Sequence, residues 1–297
     1  MTVVGDGSSD VRNALTVDVE DWFQVSNFDG VVRRDQWDSY PSRVEDNTRR
    51  LLDLFDECGV RGTFFVLGWV AKRSPQLMRE IRERGHDLAS HGHGHRLVYE
   101  LSPEEFAADV TNSRDAIEQG SGTRVCGFRA PSFSIDQRCG WAFDVLVERG
   151  FTYDSSIYPV RHPRYGMPSF SRIPRRIRTE GGGEIREFPL TTLRVFGRNI
   201  GAAGGGYLRL LPPVLLETAF ARMNAEGQPA VLYVHPWEID PGQPRLRPRG
   251  LGRVTHYANL ARTAARLRRL LSRFEFVPME EALASAPGLT EPPVEFR

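Results

Sequence analysis

The chain has 297 residues, 40% hydrophobic and 26% charged, with a net charge of +1. This is ordinary globular composition, long enough for one large α/β domain or two smaller ones, and the near-neutral balance points to no nucleic-acid or polyanion partner. Three scattered cysteines, Cys58, Cys126 and Cys139, make neither a disulfide framework nor a thiolate metal site and fit a reducing compartment. Met1 to Asn13 lacks the basic-then-apolar pattern of a leader, and no run of about 18 apolar residues exists to span a membrane, so a soluble cytoplasmic protein is expected.

Residues 1–14 read as a flexible N-terminus. Leu15 to Val19 is apolar and β-branched, the pattern of a buried strand. It ends in Asp18-Val19-Glu20-Asp21-Trp22, three carboxylates in four residues. Ser42 and Glu45 read as a capping box for a helix with apolar positions Val44, Leu51, Leu52, Phe55 and Cys58, stopped by Gly59. Val60 to Leu67 is the next strand, and Ser74-Pro75 opens a helix that Gly85 closes. His86 to Ser90 is a strand delivering His91-Gly92-His93-Gly94-His95, three of the seven histidines in five residues. Ser102 to Glu105 is a second capping box, its helix running to Gly120. Val125 to Arg129 is a strand, Trp141 to Arg149 a helix, and Phe151 to Tyr153 a strand ending in Asp154.

From 158 to 206 the alternation breaks into a Pro-, Arg- and Gly-rich stretch with one strand, Glu184 to Leu190. It reads as an insertion over the mouth of the sheet, either a substrate-binding lid or a structural excursion. A helix over Pro212 to Glu226 follows, then a strand, Ala230 to Val234, ending in His235-Pro236-Trp237. An amphipathic helix, Tyr257 to Arg273, carries its arginines on a solvated face. Phe274 to Val277 is a last strand, Met279 to Ala284 a short helix, and 285–297 a loose tail.

Strands alternating with glycine-stopped helices predict a parallel α/β architecture, in which chemistry sits at the C-terminal strand ends. Asp18 to Asp21, His91 to His95, Arg129, Asp154 and His235 all fall there. Two imidazoles, His91 and His95, with one carboxylate from the Asp18 to Asp21 group would leave coordination positions open on a metal ion, as a catalytic site requires. A second carboxylate would act as general base. His93 points away if the stretch forms a turn, and His86, at the far end of its strand, reads as structural. His235 reads as a general acid. Arg129 orients or balances the base. Asp154 either pairs with His235 or Arg129 or caps the next turn. His162 and His256 have no supporting neighbours and read as surface or loop residues.

Taken together and in order, these residues resemble the polysaccharide deacetylases, carbohydrate esterase family 4 with the NodB-homology domain. The resemblance is carried by Thr16-Val17-Asp18 with Glu20-Asp21, Ser90-His91 to His95, Gly127-Phe128-Arg129-Ala130-Pro131, Tyr153-Asp154-Ser155 and Leu232-Tyr233-Val234-His235. Asp18 to Phe23, the Gly204 to Pro212 stretch and His235-Pro236-Trp237-Glu238 resemble a narrower branch found in exopolysaccharide loci linked to exosortase and PEP-CTERM sorting. In that branch a C-terminal region, here 204–284, follows the core.

The resemblance implies an α/β fold, a distorted (β/α) barrel of about seven strands over residues 15–284. It implies metal-dependent hydrolysis of N-acetyl groups from amino sugars of an exopolysaccharide or its precursor. A divalent ion, zinc being expected, would sit on His91, His95 and either Glu20 or Asp21. Asp18 would be the base, His235 the acid, Arg129 the holder of Asp18, Asp154 a tuner of His235, and Leu232 and Trp237 the acetyl pocket. Val19 separates Asp18 from Glu20 where the family pattern has adjacent carboxylates, so the choice between Glu20 and Asp21 depends on whether the strand bulges. Two other readings are hydrolysis of a small cyclic amide without metal and a catalytically silent carbohydrate-binding module; intact His91 and His95 weigh against the former.

Overall fold

Alternation along β1 (Asn13–Val19) sets up two layers. Leu15, Val17 and Val19 pack outward with helix residues such as Leu51, Leu52 and Phe55. Ala14 faces inward with Phe65, Ala89, Tyr153, Phe188, Val231 and Tyr233. A strand turns successive side chains to opposite faces, so Thr16 and Asp18 share the inner face with Ala14. The computed structural model describes residues 11–246 and 252–296; residues 1–10 of the expected flexible N-terminus lie outside these, while Asn13 and Ala14 belong to β1.

The strands that follow are β2 (Thr63–Val66), β3 (Asp87–Ser90), β4 (Gly127–Phe128), β5 (Tyr153–Asp154), β6 (Arg175–Arg178), β7 (Glu184–Glu187), β8 (Thr192–Val195), β9 (Arg198–Gly201), β10 (Val231–Val234), β11 (Phe276–Val277) and β12 (Val294–Glu295). Seven run parallel in the order β10-β1-β2-β3-β4-β5-β7. No ladder joins β7 to β10 among the described residues. The chain after β7 crosses that gap instead: the Thr191 hydroxyl donates to Val231 O and accepts from Val231 N, and Ala203 to Gly205 pair with Tyr233. β11 lengthens the sheet beside β1, β6 pairs antiparallel with β7, and β8 and β9 form a separate hairpin.

The helices are α1 (Val44–Cys58), α2 (Gly68–Arg73), α3 (Pro75–Glu83), α4 (Pro103–Ser121), α5 (Ala142–Glu148), α6 (Gly206–Leu210), α7 (Pro213–Ala225), α8 (Gly252–Tyr257), α9 (Leu260–Leu271) and α10 (Met279–Ala284). The capping box at Ser102 and Glu105 forms. The one expected at Ser42 and Glu45 does not: Ser42 donates to Asp21, and Glu45 accepts from Arg49 and Ser74. The expected single helix from Tyr257 to Arg273 is broken at Asn259, which sits in the left-handed region at φ +56°. Arg268, Arg269 and Arg273 turn outward onto Glu57 and Glu217.

Two further expectations are corrected. The stretch 158–206 is not wholly an excursion, because β7 within it is the seventh parallel strand. The tail is not loose: β12 pairs with β6, and the Phe296 ring meets Phe143 edge-on with 4.9 Å between centroids. The apolar character of Val294 and Phe296 was the available signal.

Gly127 leaves room for the ring of Tyr153: a Cβ added there would lie 2.0 Å from Tyr153 Cζ. Because overpacked cores lose about 1–3 kcal/mol, Gly127→Ala should lower the urea unfolding free energy by that amount. An unchanged midpoint and slope would contradict the packing described.

Candidate active site

Asp18 closes the inner face of β1 and is buried. Its Oδ1 accepts from Arg129 Nη1 at 2.7 Å. The Arg129 guanidinium is itself fully buried. It also donates to Thr16 Oγ1 at 2.8 Å, to Ser155 O at 3.1 Å and to Ser155 Oγ at 3.0 Å, and stacks over Phe65. A buried arginine needs this many acceptors. Asp18 Oδ2 is left facing the cleft, 3.9 Å from His235 Nε2.

Immediately after β1 the chain bends back, Glu20 N donating to Asp18 O at 3.1 Å. That bend is the local answer to the intervening Val19: it brings Glu20 to the same mouth as Asp18. Glu20 Oε2 lies 2.8 Å from His95 Nε2, and one ligand atom each from Glu20, His91 and His95 all lie within 4.8 Å of one another. Burial would raise the Glu20 carboxyl, but His95, His235 and His91 hold it down to about 2.

The histidine turn is pinned from three directions. His91 N donates to Val66 O. Asp109 accepts from His93 N at 2.7 Å and Gly94 N at 3.3 Å. Arg34 donates to Gly94 O and His95 O, both at 2.9 Å. His95 adopts φ +48°, a costly conformation for this residue type, and these clamps on its neighbours hold it there. His91 Nδ1 lies 2.8 Å from Arg129 O. A carbonyl can only accept, so Nδ1 carries the proton and Nε2 presents its lone pair to Glu20, the arrangement of a metal-ligating histidine. Burial pushes the His91 imidazole down to about 4 despite Asp18 nearby, so it is neutral at physiological pH, as a ligand must be.

His235 follows β10. Its Nδ1 pairs with Glu238 Oε2 at 2.9 Å, and Glu238 N3-caps the short turn back to His235 N at 3.0 Å. Glu238 is in turn bonded by buried Arg209 at 2.5 Å. Burial would raise Glu238, but Arg209 and His235 hold it at about 2. Burial would lower His235, but the hydrogen bond and charge of Glu238, with Glu20 and Asp18 behind it, carry the imidazole up to about 9. Trp237 stacks on His235, and its indole donates to Glu20 Oε1 at 3.3 Å.

Several expected residues lie elsewhere. Asp21 does not join the cluster: its carboxylate accepts from Ser42 Oγ, Arg43 N and Val44 N at the start of α1, where a helix presents unpaired N–H groups. Asp154 touches neither His235 nor Arg129; it caps the next turn through Ser156 N and Oγ and neighbours Glu187. Leu232 is buried against the outer helices, because strand alternation gives the inner face to Tyr233 and His235. Trp237 does line the cleft. His93 faces Gly68 and Asp109 rather than Glu20. His86 accepts from Gly62 N and packs among Phe55 and Phe64. His256 is corrected from a surface residue to a fully buried one stacked on Trp237 at 4.2 Å. The sequence reading gives Glu238 and Arg209 no role in the site; the signal for the former is the His-Pro-Trp-Glu spacing of a capping box.

The cleft these groups share has a volume of about 450 Å³ and is walled by Tyr165, Tyr207, Tyr233 and Trp237 among others. The donor set fits a divalent cation. Glu20 Oε2 is buried with no hydrogen-bond donor, and His95 and neutral His91 aim ring nitrogens at it. A proton shared between Glu20 and His95 would satisfy that pair but leave His91 unanswered; a cation satisfies all three, and three protein ligands are what an open site offers.

Two outcomes are expected, the first of the ion-free protein and the second of the protein supplied with a divalent ion. His235 titrates near 9 by NMR, and Glu238→Gln brings it down toward 6.5. Since the folded value exceeds the free one, the stabilisation is full below about 6.5 and is lost as pH rises through about 9; titration of wild-type His235 near 6.5 would refute the Glu238 coupling. Asp21→Ala removes a helix cap and should cost about 1–2 kcal/mol in denaturant while leaving bound-ion stoichiometry unchanged, whereas loss of the ion would return Asp21 to the ligand set.

Residues 35–151 match the polysaccharide deacetylase family model, and residues 155–284 match a domain of unknown function (DUF3473). The chain is 30% identical over 110 residues to a peptidoglycan deacetylase-like protein of Gibberella zeae, covering 36% of this chain and 32% of that one. It is 32% identical over 97 residues to a chitin deacetylase of Colletotrichum lindemuthianum, covering 31% of this chain and 39% of that one. The chain thus spans about a third of the length of these curated relatives. Its fold is similar to a crystal structure from Mycobacterium smegmatis provisionally named a polysaccharide deacetylase, with a TM-score of 0.63 at 21% identity over 98% of this chain and 95% of that one. His91, His95 and Arg129 fall within the first matched region, His235 and Glu238 within the second, and Asp18 and Glu20 ahead of both. Residues 35–151 are thus similar to the polysaccharide deacetylases, and the stretch that follows is similar to the domain of unknown function DUF3473.

Proposed function

We propose that this protein is a metal-dependent N-deacetylase that hydrolyses acetyl groups from N-acetylated amino sugars of an exopolysaccharide or its precursor, acting in the cytoplasm. The observation that carries the reading is the meeting, in one cleft, of Asp18 held by Arg129, the Glu20–His91–His95 cluster and His235 backed by Glu238. The chitin deacetylase and peptidoglycan deacetylase-like relatives support an N-acetyl amino sugar as substrate. The narrower resemblance at Asp18 to Phe23 and His235 to Glu238 supports the exopolysaccharide.

A divalent ion held by Glu20, His91 and His95, with zinc the choice for an N₂O donor set, would supply Lewis acidity, lowering the pKa of a water and polarising the acetyl carbonyl. Asp18 takes the proton from the attacking water on Oδ2, because Oδ1 is committed to Arg129. Arg129 fixes the direction of Asp18. His235 is protonated at neutral pH because Glu238 holds its charge, and it delivers that proton to the departing amine. Tyr233 and Trp237 wall the cleft beside it and limit water around the leaving group.

The test is acetate release from N-acetylglucosamine oligosaccharides together with metal analysis. His91→Ala should lose ion and activity together. Asp18→Asn should keep the ion while kcat falls by roughly 10²–10⁴. Purified protein with neither a stoichiometric metal nor acetate release would sink the proposal, and full turnover in Asp18→Asn would sink the base assignment.

A further inference from the structure

The β8–β9 hairpin stands outside the main sheet and turns through Phe196 and Gly197, with φ of +47° and +77°. Two-residue turns of this kind favour Asn-Gly or Gly-Gly. A bulky side chain in the left-handed region is strained, and the Phe196 ring is 102% exposed. Neither turn geometry nor core packing accounts for a phenylalanine here.

β8 runs antiparallel along α7. Arg172 spans Thr192 and Met223, Arg222 donates to Arg194 O, and Val195 packs with Ala219. The tip is therefore carried toward the first turns of α7, where Val214 and Leu215 are also exposed. Behind the tip lies an open hollow of about 820 Å³ lined by Arg161, Arg172, Arg194 and Arg198 and by no carboxylate. Glu226, the carboxylate felt by Arg172, is not part of that lining. Arg161, Arg194, Arg198 and Arg222 are exposed, and none forms a salt bridge among the described residues. Elsewhere surface arginines such as Arg84, Arg268 and Arg269 are paired with carboxylates. Four exposed arginines without a carboxylate partner among the described residues, Arg161, Arg194, Arg198 and Arg222, thus gather around one protruding aromatic tip.

We propose that this face docks on an anionic lipid bilayer, Phe196 entering at the headgroup–acyl boundary and the arginines lying on lipid phosphates. The order of chemistry outward from the body, arginines first and aromatic ring last, matches the order met on entering a bilayer, anionic headgroups first and apolar interior next. Aromatic rings partition to that boundary, and guanidinium forks suit phosphate. Each basic residue near such a surface adds attraction that salt weakens. The patch adjoins the cleft through Leu210 and Leu211, which line it just ahead of α7. None of the docking arginines belongs to the catalytic cluster, so failure of this proposal leaves the deacetylase reading standing, and the reverse.

The test is co-sedimentation of the full chain with vesicles of phosphatidylcholine alone or mixed with phosphatidylglycerol. Binding is expected only to the mixed vesicles, with release at about 1 M salt, where the screening length is about 3 Å. Phe196→Ser should weaken partitioning about tenfold, and Arg194→Ala and Arg198→Ala about fivefold each, with thermal midpoint and acetate release from soluble oligosaccharides unchanged. Failure to bind the mixed vesicles overturns the proposal. So does binding that is indifferent to Phe196→Ser and competed by dextran sulfate, which would mark a surface for soluble polyanions.

Discussion

The buried guanidinium of Arg129 is the constraint on which the site depends. Its side chain joins β1, through Thr16 and Asp18, to the segment after β5, through Ser155. Its backbone carbonyl orients His91. One residue thus fixes the direction of the Asp18 carboxylate and selects the tautomer of His91. Such a charge is tolerated in the interior only because carboxylate, hydroxyls and carbonyl answer it and the Phe65 ring covers its face. Removing either partner would leave an unmatched buried ion, which is far more disruptive than losing the contact alone.

A second chain of charge runs on the opposite wall. Arg209 answers Glu238, Glu238 answers His235, and His235 looks across at Asp18 and Glu20. Alternating sign lets several ionised groups share a poorly hydrated space. It also separates the tasks of similar groups: Glu238 is spent on His235, while Asp18 keeps one oxygen free. Arg209 comes from α6 and also donates to carbonyls of Thr255, His256 and Ala258, so the region matching the domain of unknown function builds this wall rather than merely trailing the sheet.

Much of this was legible in the sequence because strand ends announce themselves. An apolar run followed by Asp18 and Glu20, or by His91 to His95, places polar groups where a parallel sheet keeps its mouth, and the glycine stops gave the alternation. What was not legible depended on direction and distant partners. Nothing local says that the chain bends at Glu20 and hands Asp21 to the N-terminus of α1 some twenty residues on, although the same residues had suggested either as a ligand. Leu232 was misplaced because a motif names positions without saying which way a strand faces. His256 looked unsupported because its partner, Trp237, is far away in sequence. The capping box at Ser102 formed where solvent left it undisturbed; at Ser42 a buried carboxylate outcompeted it.

The ladder between β1 and β10 has a consequence for how the protein is made. Thr16 and Leu232 meet there across 216 residues, so one of the first strands synthesised waits for one of the last. Closing so long a loop before any contact rewards it is entropically unfavourable and slow. The histidine turn and Arg129 can assemble against β1 while the chain is still growing, but His235 joins them only when β10 slides in beside it. The complete cleft therefore arrives at the end of folding, and a truncated or nascent chain holds a half-built one that lacks His235.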